Sequence, residues 1–364
     1  MKLLIVSRFD RSARAISTIM KYVQVGVDLG HHVALFSDPI GDMPHVPTSR
    51  DPQTFDYVMF IVYETPDFPD LPYLAHLLDR VPKERRIIVD CTGRYNDSIQ
   101  VELDFNHCER MDNHMGWEWV DGFASVAKTI LQPTLCPRRG DARPFLFHGF
   151  DPASVARPYR SADEAARSWA ANSTQAKPYG IIYVGNNWQR WSQVRSLLKA
   201  IEPIQSNVGP ICLTGWAWDY RPDWAAELDV KGINTDGAML QQMGVEVRGN
   251  IPFDHVVEFV SQARFSPVIH RPLFNHLGIV TNRTFETFCS DTIPLLMLPE
   301  EMVESIYGRA ARPLILRDDV ASHMRDIQCY PEVYWDAVLK TRTYLAEHHS
   351  FERRFQQLSA ILDS

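Results

Sequence analysis

The segment Asn282-Arg283-Thr284-Phe285-Glu286-Thr287-Phe288 spaces a guanidinium and a carboxylate three residues apart. On a helix that spacing puts Arg283 and Glu286 on one face, while Phe285 and Phe288 share a buried one. A carboxylate near a helix N-terminus, at the rim of a cleft, accepts hydrogen bonds from the paired hydroxyls of a ribose. An arginine beside it suits a phosphate. The same spacing also makes a plain surface ion pair, worth about 0–1 kcal/mol. A second stretch, Gly185-Asn186-Asn187-Trp188-Gln189-Arg190, lies between a strand-like run and a helical pattern. Gly185 lets a phosphate approach the backbone, the following helix N-terminus favours an anion, and Arg190 can close over the charge. An ordinary βα turn with a surface arginine fits the same residues, because the stretch is neither G-x-G-x-x-G nor a P-loop.

Further candidates sit at strand ends. Gly215 closes the run Ile211-Cys212-Leu213-Thr214, and Arg248-Gly249 closes Val245-Glu246-Val247. Asp90 ends Arg86-Ile87-Ile88-Val89 and precedes Cys91-Thr92-Gly93-Arg94. It is either a general base for a substrate hydroxyl or a cap of its own turn. Arg8, Arg11 and Arg14 lie in the loop after the first apolar run and would suit an anionic ligand, with a solvated loop as the other reading. Trp216, Trp218, Tyr220 and Trp224, and likewise Trp117 and Trp119, offer rings that stack on a base or sugar or merely cover a surface.

The elements that must position these residues alternate along the chain. Apolar runs at 3–7, 57–63 and 86–90 read as buried strands, and Val120 to Val126 as another. Ser17 to Leu29 and Leu71 to Val81 read as helices. After residues 151–178, with a surface helix over Ser161 to Ala171, the alternation restarts at Gly180–Gly185. Strand, loop, helix, strand makes an open parallel sheet the default, and two such halves put ligands beyond the carboxyl ends of the strands.

The chain has 364 residues, 45% of them hydrophobic, and a formal net charge of −8, which suits two or three domains with real cores and disfavours general nucleic-acid coating. Its six cysteines are widely scattered without a C-x-x-C pair, which fits reduced thiols in a cytoplasmic protein rather than structural zinc. No apolar run approaches the ~18–20 residues of a membrane span, and the opening Met1–Val6 is too short for a signal peptide.

With these residues in view, the chain resembles GT-B glycosyltransferases, most closely the CgeB-like (spore-maturation-protein-like) branch. The match rests on Asn282-Arg283-Thr284-Phe285-Glu286, on Val245 to Pro252 with Val256–Val260, and on His349–Arg354 with the helix through Leu362. The resemblance implies an α/β fold of two Rossmann-like domains facing across a cleft: an acceptor domain at 1–150, a linker at 151–177, a donor domain at 178–335, and a helical segment at 336–364 packing back. It implies metal-independent transfer from a nucleotide-sugar, with no cofactor, to an acceptor hydroxyl. Donor nucleotide and diphosphate contacts would be Gly185, Asn186, Arg190, Gly215, Arg248, Gly249, Asn282, Arg283, Thr284 and Glu286. His270 and Asn275 would meet the donor sugar, Asp90 and Arg271 would be catalytic, and Arg8, Arg11 and Arg94 would meet the acceptor. Arg271 paired to a local acid, and His270 as a core histidine, are the alternatives. The position eight before Glu286, a second glutamate in many retaining members, is Gly278 here. Two other functions share the fold: glycosylation of modified DNA bases, as in phage enzymes, and a non-catalytic or epimerase-like sugar-nucleotide binder.

Overall fold

A computed structural model describes residues 1–7, 16–40, 43, 45–63, 74–103, 107–111, 119–171, 177–227 and 233–363. The N-terminal half is built on β1 (Lys2–Val6), β2 (His32–Leu35), β3 (Tyr57–Val62), β4 (Arg86–Asp90), a separate antiparallel hairpin of β5 (Ile99–Leu103) and β6 (His107–Met111), then β7 (Thr129–Gln132) and β8 (Ala142–Pro144). Its main sheet runs β2-β1-β3-β4-β7-β8, parallel throughout. Side chains alternate between two cores, as a sheet buried on both faces requires. Leu3, Ile5, Met59 and Ile61 face one way, against the helix Ile16–Asp28. Leu4, Val58, Phe60 and Ile88 face the other, against Trp119 and Phe123.

The C-terminal half repeats the plan with β9 (Tyr179–Val184), β10 (Ile211–Thr214), β11 (Glu246–Arg248), β12 (Ala263–Ile269) and β13 (Ile293–Met297), ordered β11-β10-β9-β12-β13 and again parallel. Pro267, inside β12, has no N–H to give, and the neighbouring Ser266 hydroxyl donates to Ile182 O at 2.9 Å. The last helix, Phe351–Leu362, returns to the N-terminal sheet, where Phe351, Phe355 and Leu358 complete its core.

One expected strand is a helix. Residues 119–126 coil, because Trp119, Gly122, Phe123 and Val126 recur at three- and four-residue steps and all are buried; the strand that follows is β7. Cys91, Cys136, Cys212, Cys289 and Cys329 are free thiols. No helix among the described residues is long and apolar enough to cross a membrane.

Candidate donor site between the two sheets

In the second sheet the chain winds from β9 to β10 and β11 on one side and reaches β12 and β13 on the other, so β9 and β12 flank the point where the winding reverses. Ligands in open α/β sheets lie beyond the carboxyl ends of strands at such a point. Val184, the last residue of β9, accepts a hydrogen bond from Arg283 Nε at 3.0 Å through its carbonyl. Arg283 Nη1 pairs with Glu286 Oε2. Glu286 Oε1 accepts from the Ser17 hydroxyl at 2.9 Å, and Ser17 opens the helix Ile16–Asp28 of the other half. Arg283 and Glu286 keep 25% and 18% of their side-chain surface exposed, enough to meet a ligand.

The helix that carries this pair, Asn282–Cys289, is fixed at both ends. Thr281 and Thr284 form a reciprocal capping box, and Tyr307 donates to Thr284 O at 2.9 Å. At the far end the buried Arg342 donates Nε to Phe288 O and Nη2 to Ser290 O, each at 2.8 Å, placing a cation where the helix dipole is negative.

Two loops close the carboxyl ends of β9 and β10. Trp218 Nε1 donates to Gly185 O at 2.8 Å, and Trp216 N donates to Asn186 Oδ1 at 3.2 Å. Buried Asn187 donates Nδ2 to Ala217 O at 2.8 Å and to Thr235 Oγ1 at 2.7 Å. Gly215 has φ +125°, and a Cβ there would stand 2.4 Å from Gly185 O, so only glycine fits. Gln189 and Ala217 are the non-glycine residues with positive φ among the described residues, and both lie in these loops. Arg190 is the N-cap of the helix Trp191–Ile201, which has no side-chain cap at that end. Its Nη1 donates to Asn186 O at 3.0 Å, while its Nε is enclosed without a partner. An uncapped first turn beside an arginine is a ready anion site.

Several expected contacts stand elsewhere. Asp90 is wholly buried; Oδ1 accepts from Thr92 N, Thr92 Oγ1 and Arg94 N, and Oδ2 from Tyr95 N and Gln132 Nε2. It anchors its turn and is no general base in this arrangement. Thr284 is equally buried, its hydroxyl shared between Thr281 N at 3.0 Å and His270 Nε2 at 2.9 Å, so it supports the site from behind instead of touching a donor. His270 is the core histidine; burial, with Arg190 adding to it, lowers its pKa to about 3. Arg248 turns along the outer edge of the sheet to Glu246 and to Tyr179 Oη at 2.8 Å, leaving only its backbone near the loops, where its carbonyl accepts from Gly215 N at 3.0 Å. Gly249 has open space around it. Asn282 Oδ1 accepts from Arg283 N at 3.0 Å, and Asn275 Oδ1 is enclosed without a partner on the helix Pro272–Leu277. Arg94 and Arg271 lie over Trp119 and Phe274. Trp119 and Trp218 are buried and are not stacking platforms. Arg8, Arg11, Arg14 and Trp117 lie outside the described residues.

Ser17, Asn187 and Arg342 carry no motif that would have singled them out. Gly278, where the second glutamate stands in many retaining enzymes, has φ +62° and ends the helix Pro272–Leu277, a conformation that disfavours glutamate. Among the described residues, no three His, Cys, Asp or Glu side chains are grouped to hold a metal ion.

No family model matches this chain, and no curated protein matches it in sequence. Solved structures do. An alpha-glucosyltransferase in complex with UDP-glucose and DNA containing an abasic site matches with a TM-score of 0.62 at 9% identity, over 100% of this chain and 98% of that one. The same kind of enzyme with UDP and a 13-mer DNA containing a HMU base matches with a TM-score of 0.63 at 11% identity, over 100% of both chains. T4 phage BGT in complex with UDP and Mn2+ matches with a TM-score of 0.54 at 14% identity, again over 100% of both. The likeness shows the fold over the whole length: two Rossmann-like α/β domains in the GT-B arrangement.

Proposed function

We propose that this chain transfers a sugar from a nucleotide-sugar donor to an acceptor hydroxyl in the cleft between its two sheets. The observation that carries the reading is the Arg283–Glu286 pair, anchored to the end of β9 and facing the opposite half through Ser17. Glu286 would take the ribose hydroxyls. Arg283, Arg190 and the uncapped turn after it would take the diphosphate and stabilise the charge that develops as it leaves. UDP-sugar enzymes among the neighbours support this assignment.

Calorimetric titration with UDP, GDP, ADP, CMP and TDP is the test. One nucleotide is expected to bind at micromolar strength. Glu286→Ala should weaken it roughly ten- to a hundredfold, the loss of a charged hydrogen bond of about 1.5–3 kcal/mol. An unchanged Kd in that variant would sink the assignment. Nucleotide binding without transfer or sugar-nucleotide hydrolysis would leave a non-catalytic binder.

A DNA acceptor is favoured by the neighbours solved with DNA, although the net charge of −8 is unfavourable for it. Sugar transfer from the bound donor to a 13-mer duplex containing HMU, run at low salt, decides this. Metal-independent transfer in a cytoplasmic setting, and membership of the CgeB-like branch, belong to the same proposal. The transfer rate should survive EDTA, and a rate restored only by a divalent cation would overturn that part.

A further inference from the structure

Ser17 belongs to the N-terminal half and touches the donor site of the other. Its hydroxyl donates to Glu286 Oε1 at 2.9 Å across the cleft. Both ends of that contact are fixed. On the Ser17 side, the helix Ile16–Asp28 buries Ile19, Tyr22 and Val23 in the first core. The neighbouring Thr18 hydroxyl bonds His148 Nδ1 at 2.8 Å, and Lys21, one turn on from Ser17, pairs with Asp151. His148 and Asp151 both lie on the stretch by which the chain passes from one half to the other. On the Glu286 side, the helix Asn282–Cys289 is held by its capping box, by Tyr307 and by Arg342.

An ionised carboxylate has about four lone-pair sites, two on each oxygen. Arg283 Nη1 takes one on Glu286 Oε2 and Ser17 takes one on Oε1. Among the described residues no other group pairs with this carboxylate. One site is left on each oxygen. The last torsion of a glutamate is soft, so a single anchor leaves the carboxylate plane free to turn. Arg283, from the same helix, supplies one anchor, and Ser17, from the opposite half, supplies the second on the other oxygen. A carboxylate set in this way offers one oxygen to each of the two vicinal hydroxyls of a ribose. A 2′-deoxyribose fills only one of the two.

We infer that Ser17 is a positioning residue for the ribose contact. It holds the Glu286 carboxylate so that both ribose hydroxyls are met at once, and thereby selects ribonucleotide donors over 2′-deoxyribonucleotide ones. The inference rests on the donor-site reading of Glu286. It adds that the two halves share the ribose contact, so the donor pocket is complete only with a residue of the N-terminal half.

The test is calorimetric titration of the full chain with UDP, GDP and ADP, each against its 2′-deoxy form, and with pyrophosphate, which has no ribose. The ribonucleotide that binds is expected to do so roughly tenfold tighter than its deoxy form. In Ser17→Ala its Kd should rise roughly tenfold and that of the deoxy form about twofold, so that the preference shrinks to about twofold. Ser17→Thr, which keeps the hydroxyl, should restore both, and the pyrophosphate Kd should stay unchanged in either variant. Equal losses for ribonucleotide, deoxy form and pyrophosphate in Ser17→Ala would mark a contact that only supports the fold, and would overturn the inference. So would tighter ribonucleotide binding in that variant, the sign of a hydroxyl that competes with the ribose. A Kd that responds to Glu286→Ala and not to Ser17→Ala overturns this inference alone. No nucleotide binding to the parent, or a Kd indifferent to Glu286→Ala, removes the donor reading and the Ser17 role with it.

Discussion

At the scale of single residues, the junction between the halves is lined by histidines kept neutral. His148 accepts or donates at 2.8 Å to the Thr18 hydroxyl, His270 meets Thr284, and His349 meets Arg354. Burial is the main cause in each case, helped by Arg190, Arg283 or Arg354, and each pKa falls from 6.5 to about 3. Below pH 6.5 the unfolded chain therefore takes up protons that the folded chain refuses. Stability should fall as pH drops from 6.5 towards 3, by about 1.4 kcal/mol per pH unit for each histidine. Urea midpoints between pH 7.5 and 5.5 measure this, and His270→Gln, which keeps a partner for Thr284, should make the slope shallower by one proton. A flat profile would mean that these rings are charged or open to water. For His270 the sequence offered a sugar contact and a core histidine, and burial against Thr284 decides for the core. Asp90 has the same ambiguity: a carboxylate at the end of β4 is a base or an anchor according to what its neighbours donate, and the five donors include Gln132 from another strand.

At the scale of elements, the helix Asn282–Cys289 shows what local periodicity can and cannot reveal. The Arg283 to Glu286 spacing fixes which side chains share a face, because helix geometry is local, and the structure pairs them. What holds that face towards the cleft is distant in sequence: Arg342 at the last turn, Tyr307 at the first, Ser17 from the helix Ile16–Asp28 of the other half. Arg342→Leu should cost about 1–3 kcal/mol for each of the Phe288 and Ser290 carbonyls left without a donor. The UDP Kd should rise with it as Glu286 drifts, and Arg342→Lys should recover part of both. A variant with a lowered melting temperature and an unchanged UDP Kd would show that the helix end and the donor contact are not coupled. The strand expected at residues 120–126 failed for a related reason. The run is apolar enough for either period, and it becomes a helix only when Trp119 is counted, a residue whose burial depends on the sheet it meets.

At the scale of the whole molecule, both sheets and their order of elements follow from alternating apolar runs and helices, so the two-sheet plan was legible. The way the halves are tied together was legible only where the resemblance pointed to it. The helix Phe351–Leu362 crosses back to the first sheet, where the Phe355 ring stacks on His31 at 4.8 Å; a Cβ at Gly26 would stand 2.3 Å from Val33 Cγ2 and 3.0 Å from the Phe355 ring. Its Arg354 donates Nε to His148 O at 3.2 Å, at the chain crossover between the halves. Phe355→Ala should therefore cost about 3–5 kcal/mol of stability, the usual effect of emptying a buried aromatic site. Arg190, Arg283 and Glu286 all belong to the C-terminal half, whereas an acceptor must be presented by the N-terminal one. In Phe355→Ala, UDP affinity should then stay within about twofold of the parent, as expected for distant sites, while the transfer rate falls. A loss of UDP affinity equal to the loss of transfer would mean that the returning helix supports the donor site itself, with Ser17 and Glu286 as the contact through which it does so.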